Sequence, residues 1–82
     1  MTYEVQWRIQ ALQQAERLSK TEPEEIRQVF ESVDLLADDP RPPGSVPYGV
    51  NIRRIYIGRY RVMYEISDGL VTVVVFHLGR TN

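Results

Sequence analysis

Residues 52–80 read IRRIYIGRYRVMYEISDGLVTVVVFHLGR, and this stretch decides the architecture. Two glycine-bearing dipeptides cut it into three strands. Gly58-Arg59 places glycine first in a two-residue loop, which suits a type II′ turn, and Asp68-Gly69 offers the positive-φ pair of a type I′ turn. Between them Tyr60, Val62, Tyr64 and Ile66 alternate with Arg61, Met63 and Glu65. Arg61 therefore leaves the sheet on the face opposite the tyrosines. The last strand, Leu70 to His77, is apolar on both faces except at Thr72, the pattern of a central strand. A three-stranded antiparallel meander results. One of its faces presents Arg54 and Arg61, with Arg80 just beyond the last strand, an arrangement suited to phosphate.

Working outward, Tyr3, Val5, Trp7 and Ile9 alternate with Glu4, Gln6 and Arg8, a half-buried first strand. Ala11, Leu12, Ala15 and Leu18 then follow helical spacing. Thr21-Glu22-Pro23-Glu24 is a capping-box pattern in which Thr21 caps a second helix, Glu24 reaches back and Pro23 sits in the first turn. Ile26, Val29, Phe30, Val33 and Leu36 form the apolar stripe of that helix. It should end near Asp38, because the proline-rich run that follows cannot continue it. Residues 39–51 read as a rigid surface loop. The whole, residues 1–82, is expected to be a single α+β domain: a strand, two helices, then the meander, with the helices on one face of a twisted sheet.

Composition narrows the function. The chain has no cysteine and one histidine, which excludes a disulfide framework, a thiolate metal site and a histidine-rich metal site. No apolar run is long enough to span a membrane, and the N-terminus lacks the apolar core of a secretion signal, so a cytoplasmic location is expected. Net charge is −1, but it is unevenly spread: residues 1–40 hold four basic side chains against nine acidic, residues 41–82 six against two. All six of those basic residues are arginines, whose planar fork suits bidentate contact with phosphate or carboxylate.

No phosphate-binding loop, dinucleotide glycine motif or serine triad is present. Arginines, tyrosines and one histidine on a sheet suit one reaction well: cleavage of RNA by attack of its own 2′-hydroxyl, which needs neither metal nor cofactor. The protein must align the 2′-oxygen with the leaving oxygen, neutralise the phosphorane, and move one proton off and one on. Tyr56 or His77 would move protons or stack on a base. Each residue also has a plainer role open to it: solvated surface for Arg54, Arg59 and Arg61, a half-buried hydrogen-bonded imidazole for His77, core packing for Tyr60, Tyr64 and Trp7.

The helix exit ADDPRPPG and the hairpin RRIYIGRYRVMYEI together resemble the RelE/ParE superfamily of bacterial type II toxins, and the resemblance covers nearly the whole chain. It implies a toxin paired with an antitoxin in a hetero-oligomer, the antitoxin covering the basic surface by helix-in-groove contact or strand addition. In the RelE-like branch it implies metal-free cleavage of mRNA on the ribosome, with Arg54, Arg61, Arg80 and His77 as the catalytic set and Arg53 and Tyr56 as substrate-binding residues. Arg54 matches the family's basic residue on the strand before the hairpin, and Arg61 its Y-R arginine. Tyr56 stands where a second basic residue often follows. The family's closing pattern has an arginine and then a tyrosine. Gly79-Arg80-Thr81-Asn82 keeps the arginine with a one-residue offset and holds no tyrosine, which leaves the proton transfers to His77 or Tyr56. The ParE-like branch implies instead non-catalytic inhibition of DNA gyrase, and a third possibility is an inactive antitoxin-binding relative.

Overall fold

The computed structural model describes residues 2–81. It contains β1 (Glu4–Trp7), α1 (Ile9–Ser19), α2 (Pro23–Asp34), a short 3₁₀ turn (Leu35–Ala37), β2 (Val46–Gly49), β3 (Ile52–Ile57), β4 (Tyr60–Ser67) and β5 (Thr72–Arg80). The sheet order is β1-β5-β4-β3-β2. β1 runs parallel to β5, and the other neighbours are antiparallel. This is the expected α+β arrangement, with the last strand in the sheet interior.

Both helices cover one face. Ala11 and Ala15 let α1 approach β5 closely, while Ile26, Val29 and Val33 carry the buried side of α2. They meet Val62, Tyr64 and Ile66 from β4 and Val73, Val75 and Leu78 from β5. Trp7 and Phe30 close one end with ring centroids 4.8 Å apart.

Four sequence expectations are corrected. First, residues 39–51 are not all loop, because Val46–Gly49 forms an edge strand on β3. Pro47 is no obstacle, because an edge strand tolerates a residue without an N–H. Second, Ile9 opens α1 instead of ending β1. Third, Asp68-Gly69 is not a type I′ turn. The connection spans Asp68 to Val71, Ser67 pairs with Thr72, and the left-handed residue is Val71 at φ 54°. Long-range contacts override the local turn preference. The Asp68 carboxylate accepts from Tyr3 at 2.7 Å and from Arg41 at 3.1 Å, and the Val71 carbonyl accepts the Glu4 amide at 2.9 Å. Gly58, by contrast, takes the positive φ that a type II′ hairpin needs.

Fourth, Thr21 does not cap α2. Its hydroxyl donates back to the Leu18 carbonyl at 3.4 Å, and Glu22 occupies the cap position without a side-chain cap bond. The Glu22 carboxylate is drawn away by tertiary partners. It accepts from the Tyr60 hydroxyl and pairs with Arg59 at 3.1 Å and Arg80 at 3.3 Å.

Candidate functional site on the open sheet face

The helices leave the other face of the sheet bare, and the strand registers say which side chains it carries. Arg54 pairs with Met63, Tyr56 with Arg61, Arg61 with Gly79 and Met63 with His77. Arg54, Arg61 and His77 thus lie on successive diagonals across β3, β4 and β5, where neighbouring Cβ atoms are about 7–8 Å apart.

His77 reaches this face only because β5 bulges. Val73 and Val75 point into the core, so strict alternation would bury His77 beside them. The register slips between Met63 and Tyr64, Phe76 becomes the extra residue, and Leu78 takes the core position. The imidazole then lies across Gly79. A Cβ on Gly79 would meet His77 Nε2 at 2.9 Å, so any larger residue would displace the ring.

A second bulge shapes the opposite flank. Pro47 pairs with Arg53 and Gly49 with Ile52, leaving Tyr48 as the extra residue of β2. Its ring lies 5.4 Å from the Arg54 guanidinium carbon, and the ring of Tyr56 lies 4.9 Å from it. Arg54 is therefore held by two aromatic faces rather than by a carboxylate.

The open face carries no ion pair among the described residues. Arg27, Arg41, Arg59 and Arg80 all make ion pairs. Arg54 and Arg61 make none among the described residues. Arg54 Nε, Arg61 Nε and His77 Nε2 are out of contact with solvent and have no hydrogen-bond partner in the protein. Unsatisfied buried polar atoms are uncommon, and three on one face single that face out as a candidate site.

Of the residues singled out from sequence, Arg54, Arg61, His77 and Tyr56 come together here. Arg53 and Arg80 do not. Arg53 lies on the helix side, where its Nε donates to Ser45 Oγ at 2.8 Å and its Nη2 to the Ser45 carbonyl at 3.2 Å. Arg80 is the last residue of β5 rather than lying beyond it, and it pairs with Tyr60 in the sheet and with Glu22 through its side chain. Sequence reasoning missed Tyr48 and Gly79. The available signals were the short alternation V-P-Y and the spacing Val73, Val75, Leu78, which steps by two and then by three.

Next to the open face runs an apolar groove of about 330 Å³, lined by Leu35, Leu36, Pro42, Pro43, Ile55 and Ile57 among others. Tyr56 lines it too, so the groove and the arginine face share a wall. No group of histidine, aspartate and glutamate side chains among the described residues is placed to hold a metal. No described helix is long and apolar enough to cross a membrane.

Several solved toxin structures share this fold. The archaeal RelE–RelB complex from Pyrococcus horikoshii matches with a TM-score of 0.79 at 22% identity, over 100% of this chain and 98% of that one. A RelBE toxin–antitoxin complex from Mycobacterium tuberculosis gives 0.82 at 23% identity, over 98% and 99%. The isolated RelE toxin of E. coli gives 0.80 at 20% identity, over 98% and 85%. The fold is thus that of the RelE-type toxins. The family profile described as the ParE toxin of the type II toxin–antitoxin system parDE matches residues 5–82, and the chain belongs to that family, within the RelE/ParE superfamily. A comparison with curated protein sequences gives no match.

Proposed function

We propose that this toxin cleaves mRNA on the ribosome, and that the open face of its sheet binds the scissile phosphate. The observation that carries this reading is the set of three buried, unpartnered nitrogens of Arg54, Arg61 and His77 on one helix-free face. In the reaction, the RNA 2′-oxygen attacks the adjacent phosphorus as a base accepts its proton. The 5′-oxygen then leaves with a proton from an acid, giving a 2′,3′-cyclic phosphate. Arg54 and Arg61 supply donors for the equatorial oxygens of the phosphorane, which is where preorganised charge lowers the barrier most. His77, seated on Gly79 beside Arg61, is the group suited to proton transfer, and Tyr56 flanks the site. Arg53 and Arg80 take no part in this scheme, since both are engaged on the helix side.

The partner is an antitoxin, as the complexes of the structurally similar toxins suggest. An apolar segment in the groove by Leu35 and Pro43 would bring neighbouring carboxylates past Tyr56 onto Arg54 and Arg61. Binding of that kind would silence the site by occupying its donors.

A second reading rests on the family profile, which is that of ParE. The ParE-like branch inhibits gyrase without catalysis, and the same arginines would then be partner contacts. Inducing the toxin and mapping messages by primer extension, for wild type beside Arg61→Ala, separates the two. In-frame, translation-dependent cuts that vanish in the variant are expected. Growth arrest with intact messages would transfer the role to gyrase.

A further inference from the structure

Tyr48 has no part in the reaction just described, yet the fold takes trouble to place it. A bulge in an edge strand turns its ring over Arg54, and the ring remains 60% exposed. Tyr56, whose ring meets the same guanidinium, is 51% exposed. Each ring therefore has one side against the cation and a broad area open to solvent. Two exposed aromatic rings that share an unpaired arginine are well matched to a nucleotide, which offers flat π-faces and an anion together.

The geometry points to a subsite for single-stranded nucleic acid, in which Tyr48 and Tyr56 each stack one base and Arg54 holds the phosphate between them. Bases that stack on protein rings must be unpaired and turned out of a helix, which single-stranded RNA permits and a duplex does not. The path continues from Arg54 to Arg61 and His77, a run of unpartnered donors that suits a repeating anion better than a lone carboxylate. A peptide would find its apolar contacts in the neighbouring groove instead. This inference rests on reading the open face as an RNA surface, and it adds a binding residue that the cleavage scheme does not require.

The test uses the purified toxin and a six-nucleotide 2′-O-methyl oligoadenylate, which cannot be cut because its 2′-oxygens are blocked. Titration is followed by NMR of labelled tyrosine rings. The Tyr48 and Tyr56 signals should shift, Tyr48→Ala should weaken binding about tenfold, and Tyr48→Phe should bind like wild type. An abasic oligomer of the same length, which loses the stack on Tyr56 as well, should bind wild type more weakly still than the oligoadenylate binds Tyr48→Ala. Tyr48 is exposed on an edge strand, and an unchanged melting temperature in Tyr48→Ala confirms that the fold is retained. Equal binding by wild type and Tyr48→Ala, or by the abasic oligomer, overturns the subsite. So does a Tyr48 shift caused by an acidic, tryptophan-bearing peptide but not by the oligonucleotide, which would assign the rings to a protein partner. Ribosome-dependent cleavage is scored separately. If wild type cuts messages but Tyr48→Ala binds the oligoadenylate as well as wild type does, the subsite falls and the nuclease stands. If wild type binds through Tyr48 but cuts nothing, the subsite stands and the nuclease falls.

Discussion

The two faces of the sheet use the same residue type in opposite ways. Arg53 and Arg54 are adjacent in sequence, so the pleat sends them to opposite sides. On the helix side Arg53 is bound to Ser45, whose hydroxyl in turn donates to Pro42, and the Tyr64 hydroxyl donates to the Pro40 carbonyl at 2.7 Å. These bonds pin the proline-rich segment to the sheet. On the bare side Arg54 and Arg61 have aromatic or strand neighbours but no acceptor. A satisfied arginine holds the fold together, and an unsatisfied one stays available to a ligand.

Paired substitutions break this comparison most directly. Ile66 is buried between the helices and the sheet, and Ile66→Ala should cost about 2–5 kcal/mol, enough to leave so small a domain largely unfolded. Arg61→Met should do the reverse. It keeps an unbranched apolar stem and removes a desolvated donor whose unmet bond costs about 1–3 kcal/mol. Its melting temperature should rise by several degrees while mRNA cleavage falls by about 10²-fold or more. Thermal melts followed by circular dichroism, with cleavage measured on the same preparations, check both. A loss of stability in Arg61→Met would mean that the open-face arginines serve the fold.

The difference between the faces also explains what could be read from sequence. The helix side was legible because burial writes a period into the chain: Tyr60, Val62, Tyr64 and Ile66 all face the core as their alternation says. Arg54 and Arg61 were legible for the same reason, being out of phase with that core. His77 was not, because a bulge at Phe76 reverses the phase, and a bulge depends on pairing with another strand. Tyr48 was lost inside a segment read as loop. Arg53 and Arg80, site residues by resemblance, lie on the helix side with Ser45 and Glu22, since sequence alone does not say which hydroxyl or carboxylate each arginine will meet.

Glu22 is the helix side's strongest polar anchor, with a side chain only 11% exposed and three partners from β4, the hairpin and β5. Glu22→Ala would leave the buried Tyr60 hydroxyl without its acceptor and free Arg59 and Arg80, a loss of about 1–3 kcal/mol in urea unfolding. The same contact gives an alkaline signature. Burial first, and then the hydrogen bond to the Glu22 carboxylate, push the Tyr60 hydroxyl up to about 12. A raised pKa stabilises the fold fully below the unfolded value near 10 and is lost as pH rises toward 12. The stability advantage of wild type over Tyr60→Phe should therefore shrink across that window. An advantage that stays flat from pH 9 to 12 would show that the bond does not couple Tyr60 to folding.

Val71 offers a smaller test of how one edge of the sheet constrains the β4–β5 connection. Its φ of 54° is unfavourable for a β-branched residue, and it is held there while its carbonyl receives the Glu4 amide. Val71→Asn should relieve part of the strain, since asparagine tolerates the left-handed region. A gain of about 0.5–1 kcal/mol is expected in the same urea experiment. A net loss would mean that the packing of the valine side chain outweighs its backbone cost.

The least effect should come from the exposed pair at that same connection. Arg41 and, after it, Tyr3 donate to the Asp68 carboxylate and hold its pKa below the ordinary value. A lowered carboxylate pKa stabilises the fold above the unfolded value near 3.8, and that contribution disappears as pH falls through the folded value. Both side chains are solvent-exposed, so screening keeps the contribution small and makes it salt-dependent. Wild type should therefore exceed Asp68→Asn in melting temperature by a degree or two at neutral pH and low salt. The gap should close below the unfolded pKa, and also when salt is raised to 1 M at neutral pH. If it survives both treatments, Asp68 acts through the turn geometry it imposes on Val71, and the charge on its carboxylate is incidental.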